Sequence, residues 1–350
     1  MTKKSSNKTI KFKSNKERVS YLLKLFEKKD RVLIVIWADP DSLASALAFK
    51  RILQNRVEKV TIANINEITR LNNKVMVEVL KIPLVKYCPK LLEEHNKFVL
   101  VDSQPSHWEE FKNISWDVVI DHHPLFSEIY AKYYDIRPDY GATATILYEY
   151  LKTLKIKPSV YLATALVYGI KTDTSNFEKS ANIHDVMAFQ NLYKHMNKHL
   201  LSKIESSSLR RSELRYFKIA LDQLKFRKNR MFTYVGKVSN TDVLVLIADF
   251  FNKVYETSWV FVGGEYKKIL TIIIRCDGYR KNAGKMANRL FKDIGSAGGH
   301  REKARAEIPF ANLSTPPELF NTDKLIKLFD KYFKLIDKLI DKKGTEKVKE

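Results

Sequence analysis

The sequence predicts an α/β protein with two units, a larger one built on a parallel sheet and a smaller one that follows it. The length of 350 residues supports two units, because single cores stop growing near roughly 250–300 residues. Four short, nearly continuous apolar runs lie in the first part of the chain, a pattern typical of parallel strands buried on both faces. A second alternation of apolar segments and helices begins near residue 230.

The apolar runs place the elements of the first unit in order. Strands are predicted at 31–37, 57–65, 97–103 and 116–123. A helix is predicted from about Asp41 to Leu53, because SLASALA is good helix-forming sequence. After Pro138, segments such as GATATILYEYLKTL and SVYLATALVYGI predict that helices dominate from about 141 to 225.

The second unit is predicted to begin with the strand RMFTYVGKV, 230–238. The segments VLVLIADFFNKV, WVFVGGEY and KILTIIIRC follow, then a helix in NAGKMANRLFKDI and the segment GSAGGHREKARAEIPF. The predicted organisation is a basic disordered tail at 1–16, a first domain at 17–205, a helical linker at 206–229, a second domain at 230–322, and a C-terminal helix with a basic tail at 323–350.

The charge balance favours an anionic partner. Lys and Arg number 62 against 40 Asp and Glu, a net charge of +22, which favours nucleotides, nucleic acid or a membrane surface. Part of the excess lies in the two lysine-rich ends, which we interpret as solvated segments.

The cysteines and the hydropathy predict a cytoplasmic protein. Cys88 and Cys276 are far apart and form no Cys-x-x-Cys, so no disulfide framework or zinc motif is predicted. No apolar run approaches the ~18 residues of a membrane span, and the basic N-terminus has no apolar signal-peptide core. We therefore expect no membrane partner.

Acidic and imidazole side chains collect at the C-terminal ends of the predicted strands, where open α/β sheets bind ligands. These residues are Asp39, Asp41, Asp102, Asp121, His122 and His123, and Asp173 follows an apolar helix in YGIKTDTSNF. Divalent cations in phosphate chemistry prefer oxygen ligands and some imidazole, and two such ions ~3.5–4 Å apart can activate water. Each residue also has a simpler interpretation, as a helix cap, a turn residue or a structural histidine.

Five motifs give the chain a resemblance to a known family. DPDSLAS, VDS, DHHP and TDTSNF resemble the motifs of the DHH phosphoesterase superfamily, and GSAGGHREKARAEIP resembles the GGH motif of its DHHA1 domain. The resemblance runs from about residue 31 to 310 and includes the short oligoribonuclease/pAp-phosphatase (NrnA-like) branch. It implies a DHH-type domain with a parallel sheet followed by a smaller α/β DHHA1-type domain.

The resemblance also implies a site with two Mn²⁺ ions, or with Mg²⁺ in their place. One ion would be held by Asp41, Asp102, His122 and Asp173, and the other by Asp39, Asp102 and a histidine at position 35. This sequence has Val35 instead, and Trp37 where the family often has asparagine. Because valine cannot ligate, we expect the ion near Asp39 to bind more weakly.

Further residues receive roles by the same resemblance. His123 is expected to contact the reacting phosphate, with Asp121 orienting one of the two histidines. In the second domain the expected substrate-binding residues are Gly298, Gly299, His300 and Arg301 in and beside the GGH motif, together with Arg275, which is chosen because it ends the apolar strand LTIIIR. The glycines would let backbone approach a phosphate, and a guanidinium could bind a terminal phosphate through two hydrogen bonds.

The functional expectation is a metal-dependent phosphoesterase acting on short RNA or DNA, linear dinucleotides or pAp through metal-activated hydroxide. One alternative is a single-strand-specific exonuclease of the RecJ kind. Another is a non-catalytic protein that binds nucleotides or nucleic acid through a degenerate metal site, which the loss at Val35 suggests. The preferred nucleotide, the polarity of degradation and a homodimeric state are left open.

Overall fold

The protein is described from a computed structural model, which covers residues 12–334 apart from 113, 126, 179–180, 208, 279–280 and 331. The chain divides into two compact units, with the boundary between Ser208 and Leu209. The predicted tails lie largely outside the described residues. The predicted N-terminal tail extends too far, because helix α1 begins at Asn15, where the Ser14 side chain accepts a hydrogen bond from the Glu17 backbone N–H.

A six-stranded, fully parallel sheet forms the centre of the first unit as described. Its elements are α1 (Asn15–Leu23), β1 (Arg31–Ile36), α2 (Pro40–Leu53), β2 (Lys59–Asn64), α3 (Leu71–Val79), β3 (Leu84–Lys86), α4 (Lys90–Glu94), β4 (Lys97–Val101), α5 (Glu109–Lys112), β5 (Trp116–Asp121), β6 (Ala131–Ile136), α6 (Thr143–Thr153), α7 (Val160–Asp173), α8 (Ile183–Tyr193) and α9 (Lys198–Ser206). The strand order is β3-β2-β1-β4-β5-β6, and each neighbouring pair is parallel. The predicted fold class is confirmed.

Both faces of this sheet are buried, as the continuous apolar runs predict. Val32, Ile34 and Ile36 of β1 point into a large apolar cluster formed with α2, α6 and α7. Leu33 and Val35 point to the other face, into a smaller cluster under the short helices α4 and α5. The strands β3 and β6 were not predicted, since the first is three residues long and the second alternates buried with exposed positions.

The strand order creates a crevice at the carboxyl edge of the sheet. The chain runs outward from β1 through β2 to β3 and then returns to β4 on the other side of β1. The connections after β1 and β4 therefore leave in opposite directions, and open α/β sheets bind ligands at this topological switch point.

Helices α2 and α7 pack closely enough to bring the start of one beside the end of the other. A Cβ atom on Gly169 would lie 3.1 Å from the Asp41 Cα and 3.3 Å from the Ala44 Cβ, tighter than most real contacts. Glycine at this position lets the helix backbones approach, which places the first turn of α2 near the last turn of α7 at the same crevice.

The second unit contains a mostly antiparallel sheet. Its elements are α10 (Leu214–Asp222), β7 (Lys225–Arg227), β8 (Arg230–Lys237), α11 (Asp242–Phe251), β9 (Trp259–Tyr266), β10 (Ile269–Cys276), α12 (Ala283–Phe291), β11 (Ser296–Gly299), β12 (Lys303–Pro309) and a helix over 322–330. The strand order is β11-β12-β10-β9-β8-β7, with β8 and β9 parallel and the other pairs antiparallel.

Helices cover both faces of the second sheet. Leu325 and Phe329 of the 322–330 helix pack with α12 on one face, and α10 and α11 cover the other. The predicted linker at 206–229 is therefore not a separate element, because Tyr216 and Ala220 of α10 are buried against the sheet. Within the described residues, no helix combines the length and the apolar character needed to cross a membrane.

Candidate metal centre

The first two acidic residues of the crevice lie where β1 leads into α2. Asp39 is the N-cap of α2, and its Oδ1 accepts a hydrogen bond of 2.9 Å from the Ser42 backbone N–H. The helix-cap interpretation therefore holds for one carboxylate oxygen of Asp39. Its side chain remains partly exposed at the crevice.

Asp41 is fully buried and caps a different helix. Its Oδ2 accepts from the Thr143 N–H at 2.6 Å, and its Oδ1 accepts from the Ala144 N–H at 2.7 Å, both at the start of α6. Its own position in the first turn of α2 adds a second helix N-terminus. Helix N-termini stabilise negative charge, so the local backbone favours an ionised carboxylate here.

Asp102 follows β4 in a left-handed backbone conformation, with φ of 61°. Aspartate and asparagine tolerate this conformation better than most residues. The buried side chain accepts a hydrogen bond of 2.8 Å at Oδ1 from the Thr143 hydroxyl. Thr143 thus contacts both Asp41 and Asp102 and links α6 to the crevice.

His122 points one ring nitrogen at the acidic cluster. Its Nδ1 lies 3.0 Å from the Tyr140 carbonyl oxygen and donates to it, which assigns the lone pair of the neutral ring to Nε2. The Nε2 atom lies 3.3 Å from Asp173 Oδ2, 3.7 Å from Asp102 Oδ1 and 4.0 Å from Asp41 Oδ2. Nε2 is buried and has no hydrogen-bond partner among the described residues.

The acidic cluster has strongly altered pKa values. Burial, reinforced by the Asp173 carboxylate, raises the pKa of Asp39 to about 6 and that of Asp41 to about 7. Burial and the Asp41 charge raise the pKa of Asp102 well above its usual value. Burial would lower the pKa of His122, but the Asp173 and Asp41 carboxylates outweigh it and raise that pKa to about 9. Without a cation, the cluster therefore binds extra protons near neutral pH.

The donor set fits a divalent cation. Two groups have ligand atoms that all lie within 4.8 Å of one another: Asp41, His122 and Asp173, and Asp102, His122 and His123. Carboxylate oxygens with one or two imidazoles suit Mn²⁺ and Mg²⁺. A divalent ion would accept the lone pair of Nε2, which has no hydrogen-bond partner among the described residues, and would balance the negative charge of the crowded carboxylates.

Asp121 holds His123, while a backbone carbonyl holds His122. The fully buried Asp121 accepts from His123 Nδ1 at 2.8 Å through Oδ1, and from Gln104 Nε2 at 2.8 Å through Oδ2. The hydrogen bond to Asp121 raises the pKa of His123. Of the two histidines that Asp121 was expected to orient, the structure places His123 in this contact.

Val35 and Trp37 carry apolar contacts at the positions where the resemblance expects histidine and asparagine. Val35 is fully buried and lies in register between Ala63 of β2 and Leu100 of β4. The Trp37 ring stacks on Trp108, with ring centroids 3.6 Å apart and planes 5° from parallel. An ion near Asp39 would therefore receive no imidazole ligand from β1.

Four residues at the centre were not predicted: Gln104, His107, Tyr140 and Thr143. His107 lies beside His123, with ring centroids 5.5 Å apart, and its Nδ1 contacts the Ser103 hydroxyl at 3.2 Å. The proximity of Gln104 and His107 to the VDS motif was an available signal. Tyr140 acts through its carbonyl and Thr143 partly through its N–H, and side-chain patterns do not reveal backbone contacts.

The glycine and histidine residues predicted for substrate binding line a polar cavity of about 600 Å³ within the second unit. The lining residues are Asn282, Gly284, Lys285, Asn288, Gly298, Gly299, His300 and Arg301. A Cβ on Gly284 would lie 2.1 Å from the Gly299 carbonyl oxygen, so only glycine lets the start of α12 approach this strand. Gly299 itself has a φ of 140°.

Arg275 is not among the residues that line this cavity. Its side chain is buried, its Nε donates to Asp249 at 2.6 Å, and its Nη1 donates to the Ile274 carbonyl at 3.1 Å. These contacts give Arg275 a structural function within the second sheet and α11. Its proposed contact with a terminal phosphate stays a prediction.

The fold and the centre together define an α/β protein with an acid and imidazole cluster at the switch point of a parallel sheet. Residues 31–170 match the family model described as DHH family, N-terminal domain. Residues 31–170 thus form a DHH-family domain, as the motifs indicate. The finer resemblance to the NrnA-like branch stays a prediction.

Similar proteins cover most of the chain. An uncharacterized protein of Methanocaldococcus jannaschii is 33% identical over 298 residues, which are 84% of this chain and 61% of that protein. The chain therefore spans less than two thirds of that relative.

Two solved structures show the same fold. An exopolyphosphatase-related protein from Bacteroides fragilis has a TM-score of 0.69 at 17% identity, over 92% of this chain and 98% of that one. RecJ from Thermus thermophilus in complex with Mn²⁺ has a TM-score of 0.50 at 15% identity, over 87% of this chain and 53% of that one.

Proposed function

We propose that this protein is a metal-dependent phosphoesterase that hydrolyses short oligonucleotides or small nucleotides. The observation that carries the proposal is the convergence of Asp41, Asp102 and Asp173 oxygens within 4.0 Å of a buried imidazole nitrogen on His122. The cluster lies at the switch point of a DHH-family domain.

The proposed cofactor is Mn²⁺, with Mg²⁺ as the alternative. Residues that would hold one ion are Asp41, Asp102, His122 and Asp173, and Asp39 and Asp102 would hold a second. Such ions supply Lewis acidity and lower the pKa of a bound water. The Mn²⁺ complex of the RecJ neighbour supports manganese as the first ion to test.

His123 is the proposed contact to the reacting phosphate. Its side chain is 43% exposed, while its Nδ1 is fixed by the buried Asp121. The bond to Asp121 leaves Nε2 directed away from that carboxylate and favours the protonated ring. A positioned imidazolium can donate to a phosphoryl oxygen, so His123 would stabilise negative charge during the reaction.

Nucleotides are the proposed substrate class, with short RNA, linear dinucleotides and pAp as the candidates. The net charge of +22 supports an anionic substrate. The polar cavity of the second unit, with His300 and Arg301 on its wall, supports phosphate binding there. A single-strand-specific exonuclease is the alternative within the same class.

A non-catalytic nucleotide-binding protein is the second candidate, and one observation favours it. Val35 lies in the apolar core, and Asp39 uses one oxygen to cap α2, so the second ion has few ligands. The candidate would retain binding at the crevice without turnover.

The test is hydrolysis of 5′-phosphorylated RNA of two to five nucleotides, and of pAp, by the full chain with Mn²⁺ or Mg²⁺. We expect Mn²⁺-dependent release of mononucleotide or phosphate that EDTA abolishes and that Asp102→Asn reduces at least 100-fold. If the chain binds the dinucleotide with Mn²⁺ but hydrolyses it with neither ion, the proposed enzyme is wrong and the non-catalytic binding protein takes its place. Turnover that persists in Asp102→Asn would place the activity elsewhere.

A further inference from the structure

A second concave site lies in the first unit, away from the metal centre. We call it the amino-edge groove, because Lys59 and Val60 at the start of β2 and Lys28 and Lys29 before β1 line it. The last turn of α2 and the first turn of α7 form its walls. The cavity measures about 820 Å³, within the roughly 300–1,000 Å³ of small-molecule sites.

The rim of the amino-edge groove is strongly cationic. The basic residues that line it are Lys28, Lys29, Lys50, Arg51, Lys59 and Lys81. Among the described residues that line the groove, Glu58 is the one with an acidic side chain, and it forms an ion pair of 3.9 Å with Arg31. Burial and the nearby Lys59 lower the pKa of Lys50. An anion in the groove would relieve this crowding of positive charge.

The floor of the groove is apolar. It consists of Leu47, Leu53, Val57, Leu80, Tyr161 and Leu162. Tyr161 is 40% exposed, and the Lys81 ammonium lies 5.8 Å from the centre of its ring. An exposed ring beside a lysine can stack a flat aromatic group while the ammonium contacts a phosphate.

We propose that the amino-edge groove binds a nucleotide with several phosphates, with the phosphates on the lysine rim and the base on Tyr161 and its apolar neighbours. The charge complementarity of the rim and the apolar floor together specify this class of ligand. The site is separate from the metal centre, and the inference stands whether or not the chain hydrolyses nucleotides.

The test measures binding of ATP to the full chain in EDTA, so that no divalent cation supports nucleotide binding at the metal centre. A fluorescent ATP analogue is the probe, and ATP and inorganic tripolyphosphate compete with it. The exposed pair Lys59→Glu/Lys81→Glu should weaken ATP binding at least tenfold. The control pair Lys152→Glu/Lys194→Glu makes the same charge change at exposed positions outside the groove and should change affinity less than twofold.

A second variant tests the base contact. Tyr161→Ala should weaken ATP severalfold and leave tripolyphosphate unchanged, because only the nucleotide has a ring to stack. Circular dichroism of each variant checks that the fold is retained.

Three outcomes would overturn the proposal. Equal weakening by the control pair would show attraction to net charge alone. Equal affinity for tripolyphosphate and ATP would contradict the proposed contact between the base and Tyr161. In the third outcome, the chain binds single-stranded RNA or phosphatidylglycerol vesicles through Lys59 and Lys81 and does not bind ATP. That result would assign the groove to RNA or to a membrane surface.

Discussion

Buried carboxylates occur at both edges of the first sheet, and their surroundings differ. At the amino edge, Asp30 accepts hydrogen bonds of 2.7 Å from the Glu27 N–H and from the Asn96 side chain. Asp117, at the same edge, accepts a hydrogen bond of 2.9 Å from the Phe98 N–H and forms an ion pair of 2.6 Å with Lys132. At the carboxyl edge, by contrast, the charged neighbours that raise the pKa of Asp102 are other carboxylates. At the amino edge, hydrogen bonds and an ion pair offset the cost of burying each carboxylate, whereas at the carboxyl edge burial leaves negative charge that a cation would balance.

Helices α2 and α7 connect these two edges. The first turn of α2 carries Asp41 and its last turn carries Lys50 and Arg51, and α7 runs from Tyr161 at the groove to Asp173 at the metal centre. A helix of 14 residues spans about 21 Å. One helix pair thus has an acidic end that suits cations and a basic end that suits anions.

The largest expected effects come from replacing one buried aspartate at each edge. Asp102→Asn should reduce Mn²⁺-dependent hydrolysis by about 10²–10³-fold, since a lost ligand removes several kcal/mol of transition-state stabilisation. In EDTA at pH 8 the same variant should raise the melting temperature by a few degrees, because the buried carboxylate has a raised pKa and asparagine tolerates its left-handed backbone. Activity assays and thermal melts measure the two effects.

Asp117→Asn is the matched control, and the expected change in its melting temperature has the opposite sign. It should lower the melting temperature, because Lys132 loses its charged partner and the Phe98 N–H keeps only a weaker acceptor. Its hydrolysis rate should be unchanged. If both variants shift stability in the same direction, the two edges do not differ as described.

The next largest effect concerns the acid that holds His123. Asp121→Asn should reduce kcat by about 10–100-fold, the range seen when a partner that orients a functional histidine is lost. The pKa of His123 is raised by Asp121, so the basic limb of the pH–rate profile should move to lower pH. A loss of activity with an unchanged profile would contradict a role for the protonated His123.

The contribution of the metal centre to the stability of the metal-free protein should fall as the pH rises from about 4 to 9. The folded pKa values of Asp41, about 7, and His122, about 9, lie above their unfolded values, so the folded chain binds more protons within this window. Mn²⁺ must displace those protons. We expect it to raise the melting temperature by several degrees at pH 8 and by less at pH 5.5. A manganese effect that is equal at both pH values would show that the ion binds outside the cluster.

The sequence predicted the first sheet well because each of its inner strands is a continuous apolar run. The prediction missed β6, because its sequence AKYYDI alternates apolar and polar residues. It also took α10 for part of a linker, because the sequence does not show which face of this helix is buried. Helix α10 buries Tyr216 and Ala220 but exposes Leu214 and Leu221, and tertiary packing decides between these faces.

The sequence predicted the carboxylates of the metal centre but not the backbone groups that hold those carboxylates in place. Asp102 and His122 follow strands in recognisable motifs, and the strand order brings them together. The capping of α6 by Asp41 joins residues more than a hundred positions apart through backbone N–H groups. No side-chain pattern reveals such a contact, so geometry was needed to find it.

The smallest expected effect concerns Val35, the position where the resemblance expects a metal ligand. Val35→His places an imidazole between Ala63 and Leu100 in a fully buried apolar cluster, which should destabilise the metal-free protein by about 1–3 kcal/mol. If the ring reaches the ion near Asp39, Mn²⁺ should recover more stability in this variant than in the wild type.

Val35→Phe provides the control, because it adds a ring of similar bulk without a ligating nitrogen. Thermal melts of both variants with and without Mn²⁺ separate ligation from overpacking. A larger manganese shift in the histidine variant would mean that the carboxyl edge lacks only this one ligand. Equal shifts in the two variants would mean that β1 holds position 35 out of reach of the ion, and that the crevice is complete without it.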